Sequence, residues 1–219
     1  METIGLGSMC GRAIVAYSQE QLEPVIRNLV RQTGCGRQAW ELHRLPDTYN
    51  YAPGQPTLTL VPVGARWLQW GYPSKGKSRT INARVEKVMG WLRVLEPAIL
   101  PINAFIEFHR ASPDQRKQAT AFYAPQALLP LASLYDSESE TFVVLTEPAE
   151  APVKATHHRQ PVILSYRGLG SWLKQKQLLR GEPNLRSCQL DSRASDPRFN
   201  RREEILSELQ PFEPTQLAR

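Results

Sequence analysis

The chain has 219 residues, 41% of them hydrophobic and 22% charged, the balance of a globular protein with enough length to bury a real core. Its 27 Lys and Arg against 21 Asp and Glu leave a formal charge of +6, which favours polyanionic partners such as nucleic acid or an acidic membrane surface. The sequence contains no apolar run of about 18 residues to span a membrane, and no charged start followed by an apolar stretch to mark a secretory leader.

In chain order, CGRAIVAY (10–17) reads as a short strand. Ser18 is placed to cap a helix through Ile26, Leu29 and Val30. Residues 33–56, rich in Gly, Pro, Asn and Tyr, read as an irregular ordered loop. TLTLVPV (57–63) and ARWLQWGY (65–72) alternate as a hairpin around Gly64, and SKGKSR (74–79) is a basic loop. NARVEKVMGWLRVL (82–95) has helical periodicity interrupted by Gly90, and AILPINAFIEFHR (98–110) reads as one buried strand. TAFYAP, LLPLASLY and TFVVLTEP follow as three antiparallel strands, the last two joined by the acidic turn DSESE (136–140). PVILSY (161–166) is a further strand or turn, GLGSWLKQKQLLRG (168–181) a short amphipathic helix, and 202–209 a late helical piece in a polar tail. Strands followed by strands, with helices at the margins, predict an α+β fold with a mainly antiparallel sheet.

The three cysteines, Cys10, Cys35 and Cys188, form no CxxC pair, which argues against a zinc site and fits a reducing, cytoplasmic setting. No metal or other cofactor is expected.

Four stretches set polar residues in apolar surroundings: MCGR (9–12), INARVE (81–86), FIEF (105–108) and THHRQP (156–161). Glu107, between Ile106 and Phe108, is either buried and tuned as an acid or base, or turned outward from an alternating strand. His157 and His158 can exchange protons near neutrality or simply form a solvated turn before Pro161. In an extended segment Asn82, Arg84 and Glu86 share one face and can orient a ligand and hold phosphate; in a helix they form a solvated face. Arg12 can lower the pKa of the Cys10 thiol, although a small buried thiol is the commoner fate. Trp67, Trp70, Tyr49, Tyr51 and Tyr72 interleave with Arg66, Lys75, Lys77 and Arg79, a pattern suited to stacking bases and pairing phosphates of single-stranded nucleic acid, or to an ordinary core.

MCGR, YNYAPGQP (49–56), QWGYPS (69–74), INARVE, AFIEF (104–108) and HHRQPVIL (157–164), with DSRASDPR (191–198) more loosely, occur in the order and spacing of one family. The chain resembles the SOS response-associated peptidase (SRAP) family over roughly residues 9–210. The resemblance implies an α+β fold with a barrel-like, partly bifurcated sheet and flanking helices. It implies binding of single-stranded DNA and reaction with abasic sites through a cysteine at the mature N-terminus. Carried onto this sequence, it makes Cys10 the nucleophile, Asn82 the residue that orients it, Glu107 the proton shuttle and His157 the aid to sugar ring opening. Arg12 and Arg84 would hold phosphate, Asn50 and Pro53 would border the DNA path, and Trp70 and Arg159 join the expected DNA contacts.

The sequence departs from the family pattern in several places. Residues 1–9 precede Cys10, so the expected organisation is an extension at 1–9 and a single domain at 10–219. The extension reflects a true start at Met9 (the preferred reading), a peptide that is cut off, or an annotation feature. The region after Gly71 lacks the family's usual Trp-bearing loop, Phe108 replaces a Trp, His158 an Asp and Ser195 an Asn. The expected activity is a DNA–protein crosslinking enzyme that acts as a monomer away from membranes. A cysteine peptidase acting on itself or other chains, and a non-covalent single-stranded DNA binder, are the alternatives.

Overall fold

The computed structural model describes residues 11–40, 49–74, 78–109, 118–125 and 127–190. Residues 1–9, Cys10, the basic pair Lys75 and Lys77, the closing segment 191–198 and the late helical piece at 202–209 lie outside them.

The chain opens with β1 (Arg12–Ile14) and α1 (Gln19–Thr33). Ser18 caps α1: its hydroxyl accepts from the Gln21 backbone while the Gln21 side chain accepts from the Ser18 N–H. Gly34 ends the helix in the left-handed region, its N–H bonded to the Val30 carbonyl. There follow β2 (Asn50–Tyr51), β3 (Pro56–Val61), β4 (Gly64–Trp70), β5 (Tyr72–Pro73), β6 (Arg79–Thr80) and β7 (Asn82–Arg84). The β3–β4 hairpin turns at Pro62 and Val63, as the alternation predicts. Gly64 sits at φ 136°, and a Cβ there would run into the Ala39 carbonyl oxygen, so no other residue fits.

After α2 (Val88–Trp91) come β8 (Glu96–Ile102), β9 (Ala104–His109), β10 (Gln118–Tyr123), β11 (Leu129–Asp136), β12 (Thr141–Pro148), β13 (Arg159–Pro161), α3 (Leu169–Gln175) and β14 (Arg186–Leu190). A five-stranded sheet runs β14-β10-β9-β1-β2. The larger sheet runs β11-β8-β3-β4-β12-β13, and a β11–β12 pairing returns the path on itself as a ring. Among the described residues nearly every pairing is antiparallel; β12 with β4 and β12 with β7 are the parallel ones. The fold is α+β, as expected. β12 is also where the sheet bifurcates: its first half lies between β11 and β4, its second half between β13 and β7.

Two expectations are corrected. The apolar run 98–110 is two strands in two sheets, not one. The break falls at Asn103, fully buried, whose N–H donates to the Ile14 carbonyl at 2.8 Å and whose side-chain oxygen accepts from the Ala16 N–H at 2.7 Å. An asparagine whose side-chain oxygen and backbone N–H both bond the neighbouring strand's backbone lets the chain change sheets without stranding those backbone groups, although the Asn103 side-chain nitrogen is itself buried without a hydrogen-bond partner. The helix expected over 82–95 shrinks to α2 and a preceding 3-10 turn at Val85–Lys87, because Asn82–Arg84 are drawn into the β12 edge as β7. Backbone pairing to a buried strand outweighs the helical spacing of the apolar residues.

Candidate functional site

Glu107 is 1% exposed. It lies on β9, where Phe105 packs into the large core and Ile106 into a second apolar cluster with Ile14 and Ala121. Strand alternation therefore sets Glu107 on the same face as Phe105, toward the large sheet, and the outward alternative does not hold. β9 is flanked by β1 and β10, with Arg12 paired to Ile106 and Thr120 paired to Glu107. The start of β1 thus lies at the end of β9 that carries the carboxylate. A carboxylate taken so far from water is kept only with polar partners, and Glu107 has them.

Asn82 and Arg84 stand on β7 on either side of Ala83, which is buried in the core, so both project to the opposite face. Asn82 is half-buried and Arg84 exposed. Glu86 does not join them on an extended face: the chain has already entered the 3-10 turn. The segment is held from behind by Trp70, whose indole N–H donates to the Ile81 carbonyl at 2.9 Å.

His157 is half-buried after the 3-10 turn Val153–Ala155. Its Nδ1 lies 3.1 Å from both the amide nitrogen and the carbonyl oxygen of Arg159. It can accept from the first when neutral and donate to the second when charged, which leaves Nε2 for proton exchange. Burial first, then the neighbouring His158 ring 4.5 Å away, hold its pKa below the ordinary histidine value. Arg159 is buried, and its guanidinium forks onto both oxygens of Glu86 and onto the Thr146 carbonyl. Glu86 is correspondingly pushed down to about 2, chiefly by the Arg159 hydrogen bond.

The remaining expected contacts divide. Arg12 is half-buried on β1, Pro53 half-buried in the turn after β2, and Asn50 almost fully buried on β2. Trp70 is corrected from a base-stacking residue to a core one: it is 0% exposed, stacked on Phe142 at 6.0 Å, with no face to offer a base. Trp67, on the opposite side of β4, is the exposed tryptophan, at 43%. Tyr51 is core as well, and burial pushes its hydroxyl up to about 12. Arg159 is likewise turned inward, its side chain 7% exposed. The five-stranded sheet therefore brings Arg12, Asn50 and Glu107 into neighbouring strands, and β12 brings Asn82, Arg84, His157 and Arg159 together. Sequence reasoning missed the Glu86–Arg159 pair, since 73 residues separate them and nothing local marks their meeting. Among the described residues no group of three His, Cys, Asp or Glu is placed to hold a metal ion. No described helix is long and apolar enough to cross a membrane.

The profile of the SOS response associated peptidase (SRAP) family matches residues 9–195. The chain belongs to the SRAP family. The abasic site processing protein YoaM of Bacillus subtilis (strain 168) is 28% identical over 152 residues, covering 59% of this chain and 66% of that protein, so the match spans just under two thirds of the relative. Among solved structures, a phage-related protein from Bordetella bronchiseptica is similar at TM-score 0.64 and 21% identity, covering 84% of this SRAP chain and 95% of its own. A protein from Bacteroides thetaiotaomicron is similar at TM-score 0.65 and 14% identity, covering 86% and 96%. At these identities the likeness is one of fold, and it is the fold described above.

Proposed function

We propose that this SRAP protein binds single-stranded DNA and captures abasic sites covalently through Cys10, once that residue carries a free α-amine. The observation that carries the reading is Glu107: a carboxylate 1% exposed, on the strand that pairs with β1 where β1 begins, two residues after Cys10. A buried acid beside the start of the mature chain suits a reaction that moves several protons.

The chemistry follows from the reactants. An open abasic sugar has an aldehyde at C1′. The Cys10 amine adds to it, and the carbinolamine loses water to give an imine. The thiol then adds across the imine carbon, its proton passing to nitrogen, and closes a five-membered thiazolidine with a net loss of one water. Holding both partners in place supplies the effective concentration. Glu107 protonates the departing hydroxyl and relays the proton back on reversal. His157, whose pKa burial holds below the ordinary histidine value, assists opening of the sugar ring. Asn82 orients the Cys10 end, and exposed Arg84 with Arg12 holds phosphate. The free amine arises from initiation at Met9 with loss of that methionine, or from cleavage after Met9. The relative's name, abasic site processing protein, and the family match from residue 9 support this reading.

The test compares the parent with Cys10→Ser on a single-stranded oligonucleotide carrying one abasic site. A denaturation-resistant adduct made by the parent and lost in Cys10→Ser, with binding to the intact oligonucleotide retained, is the expected result. Equal crosslinking by Cys10→Ser overturns the assignment. Release of the peptide 1–9 from full-length protein without any adduct would favour a self-cleaving cysteine peptidase instead.

A further inference from the structure

Arg159 and Glu86 meet across β12. β13 runs along one edge of the second half of β12, with Pro148 paired to Arg159, and β7 runs along the other edge, with Thr146 paired to Arg84. The Arg159 side chain lies over the β12 backbone: Nη2 donates to the Thr146 carbonyl and reaches Glu86 Oε2 at 2.9 Å, and Nη1 donates to Oε1. The guanidinium also comes within 3.4 Å of the Thr146 hydroxyl, so it lies on the β12 face that Arg84 shares.

We infer that the Glu86–Arg159 pair is a positioning clamp that holds the segment bearing Asn82 and Arg84 against the segment bearing His157, so that Arg159 acts through them rather than by touching DNA. Three features point this way. Arg159 is 7% exposed at its side chain, both terminal nitrogens are engaged, and Nε, which has no hydrogen-bond partner, is buried away from solvent, so the side chain presents little to a phosphate. The bidentate fork fixes direction as well as distance, which a single surface contact would not. The backbone of Arg159 is in turn what His157 Nδ1 rests on, at 3.1 Å. A displacement of Arg159 therefore reaches the imidazole directly, and through Glu86 it reaches β7. The pair stands outside the reacting groups; it governs where they sit.

The inference rests on the crosslinking reading for its consequence, but one of its readouts does not. In full-length protein, Glu86→Gln keeps the shape of a half-exposed side chain and removes the charge, and Arg159→Lys keeps the charge and removes the fork. The measurements are the adduct-formation rate at saturating abasic oligonucleotide, the affinity for the undamaged oligonucleotide against salt, and the His157 ring titration by NMR. Each single variant is expected to slow adduct formation by about tenfold. The double variant should be no slower than either single, as for two groups in one interaction. Affinity for undamaged DNA and its salt slope should hold, and the His157 titration should move the same way in both. Parent rate and parent His157 titration in Glu86→Gln would overturn the clamp. So would a charge-removing Arg159→Gln that weakens DNA binding with a salt slope reduced by about one, since that marks a direct phosphate contact. A parent protein that forms no adduct contradicts the crosslinking reading, and the His157 titration then decides the clamp by itself.

Discussion

The indole nitrogen of Trp70 donates to the backbone carbonyl of Ile81 at 2.9 Å, and Ile81 is the residue immediately before Asn82. The ring that makes this bond is fully buried and stacked on Phe142 of β12. A core side chain therefore anchors the entry to β7 from behind while the N–H of Val144 on β12 donates to the same Ile81 carbonyl at 3.1 Å.

Trp70→Phe keeps most of the packing and removes the donor. It should destabilise the protein by about 1–3 kcal/mol through the weakened buried hydrogen bonding and the space left behind. A urea midpoint that falls with an unchanged slope is the expected signature. The same variant should also slow adduct formation if Asn82 acts as proposed.

Asn103→Ala removes the oxygen that accepts from the buried Ala16 N–H at 2.7 Å. An amide left without a partner in a fully buried corner should cost about 1–3 kcal/mol, read as a lower urea midpoint. Asn103→Asp, which retains an oxygen acceptor, should recover part of that loss at a pH where the new carboxyl is protonated.

Glu86 offers a pH prediction. Its carboxyl lies near 4.5 when unpaired and is pulled down to about 2 in the folded protein, chiefly by Arg159. The stabilisation it supplies is therefore present above about pH 4.5 and is lost as pH falls from there toward about 2. Because the Glu86 side chain is 48% exposed, solvent screens the pair, and the effect should be no more than about 1 kcal/mol. Urea midpoints measured across this range should fall more steeply with acid for the parent than for Glu86→Gln.

Glu107→Gln keeps the volume and removes the proton relay. Adduct formation should slow by about 10²–10⁴, the span of a general acid–base contribution, while binding of undamaged single-stranded DNA stays near parent levels. The comparison of single-turnover rates with equilibrium binding separates the two.

Much of the fold is legible in local pattern. The Ser18–Gln21 capping box, the hairpin turning just before Gly64 and the strand TFVVLTEP are each set by residues a few positions apart, and local rules read them. Asn103 shows where that stops. An asparagine inside an apolar run looks like a tolerated polar residue, and only its bonds to Ile14 and Ala16, nearly 90 positions away, turn it into a corner between sheets. β7 shows the same limit: helical spacing in NARVEKVMGWLRVL is real, but an open edge of β12 outweighs it. β14, in a stretch that reads as polar tail, pairs with β10 for the same long-range reason.

The site divides along similar lines. Glu107 stands out in sequence as a carboxylate inside an apolar run, but local alternation leaves it free to turn inward or outward, and only the packing of β9 between β1 and β10 buries it, at 1% exposure. Trp70 and Trp67 could not be told apart by composition. They fall on opposite faces of β4, one 0% and the other 43% exposed, and that depends on which face of the strand meets the core. Arg159 reads as a basic residue near a histidine, and its pairing with Glu86 follows only from the way β7 and β13 flank β12.

The central claim is a covalent capture at Cys10, and intact mass tests it most directly. Purified protein is weighed before and after incubation with a single-stranded oligonucleotide bearing one abasic site. The account predicts a chain that begins at Cys10 and gains the mass of the oligonucleotide less one water. A chain that begins at Cys10 and gains nothing would contradict it.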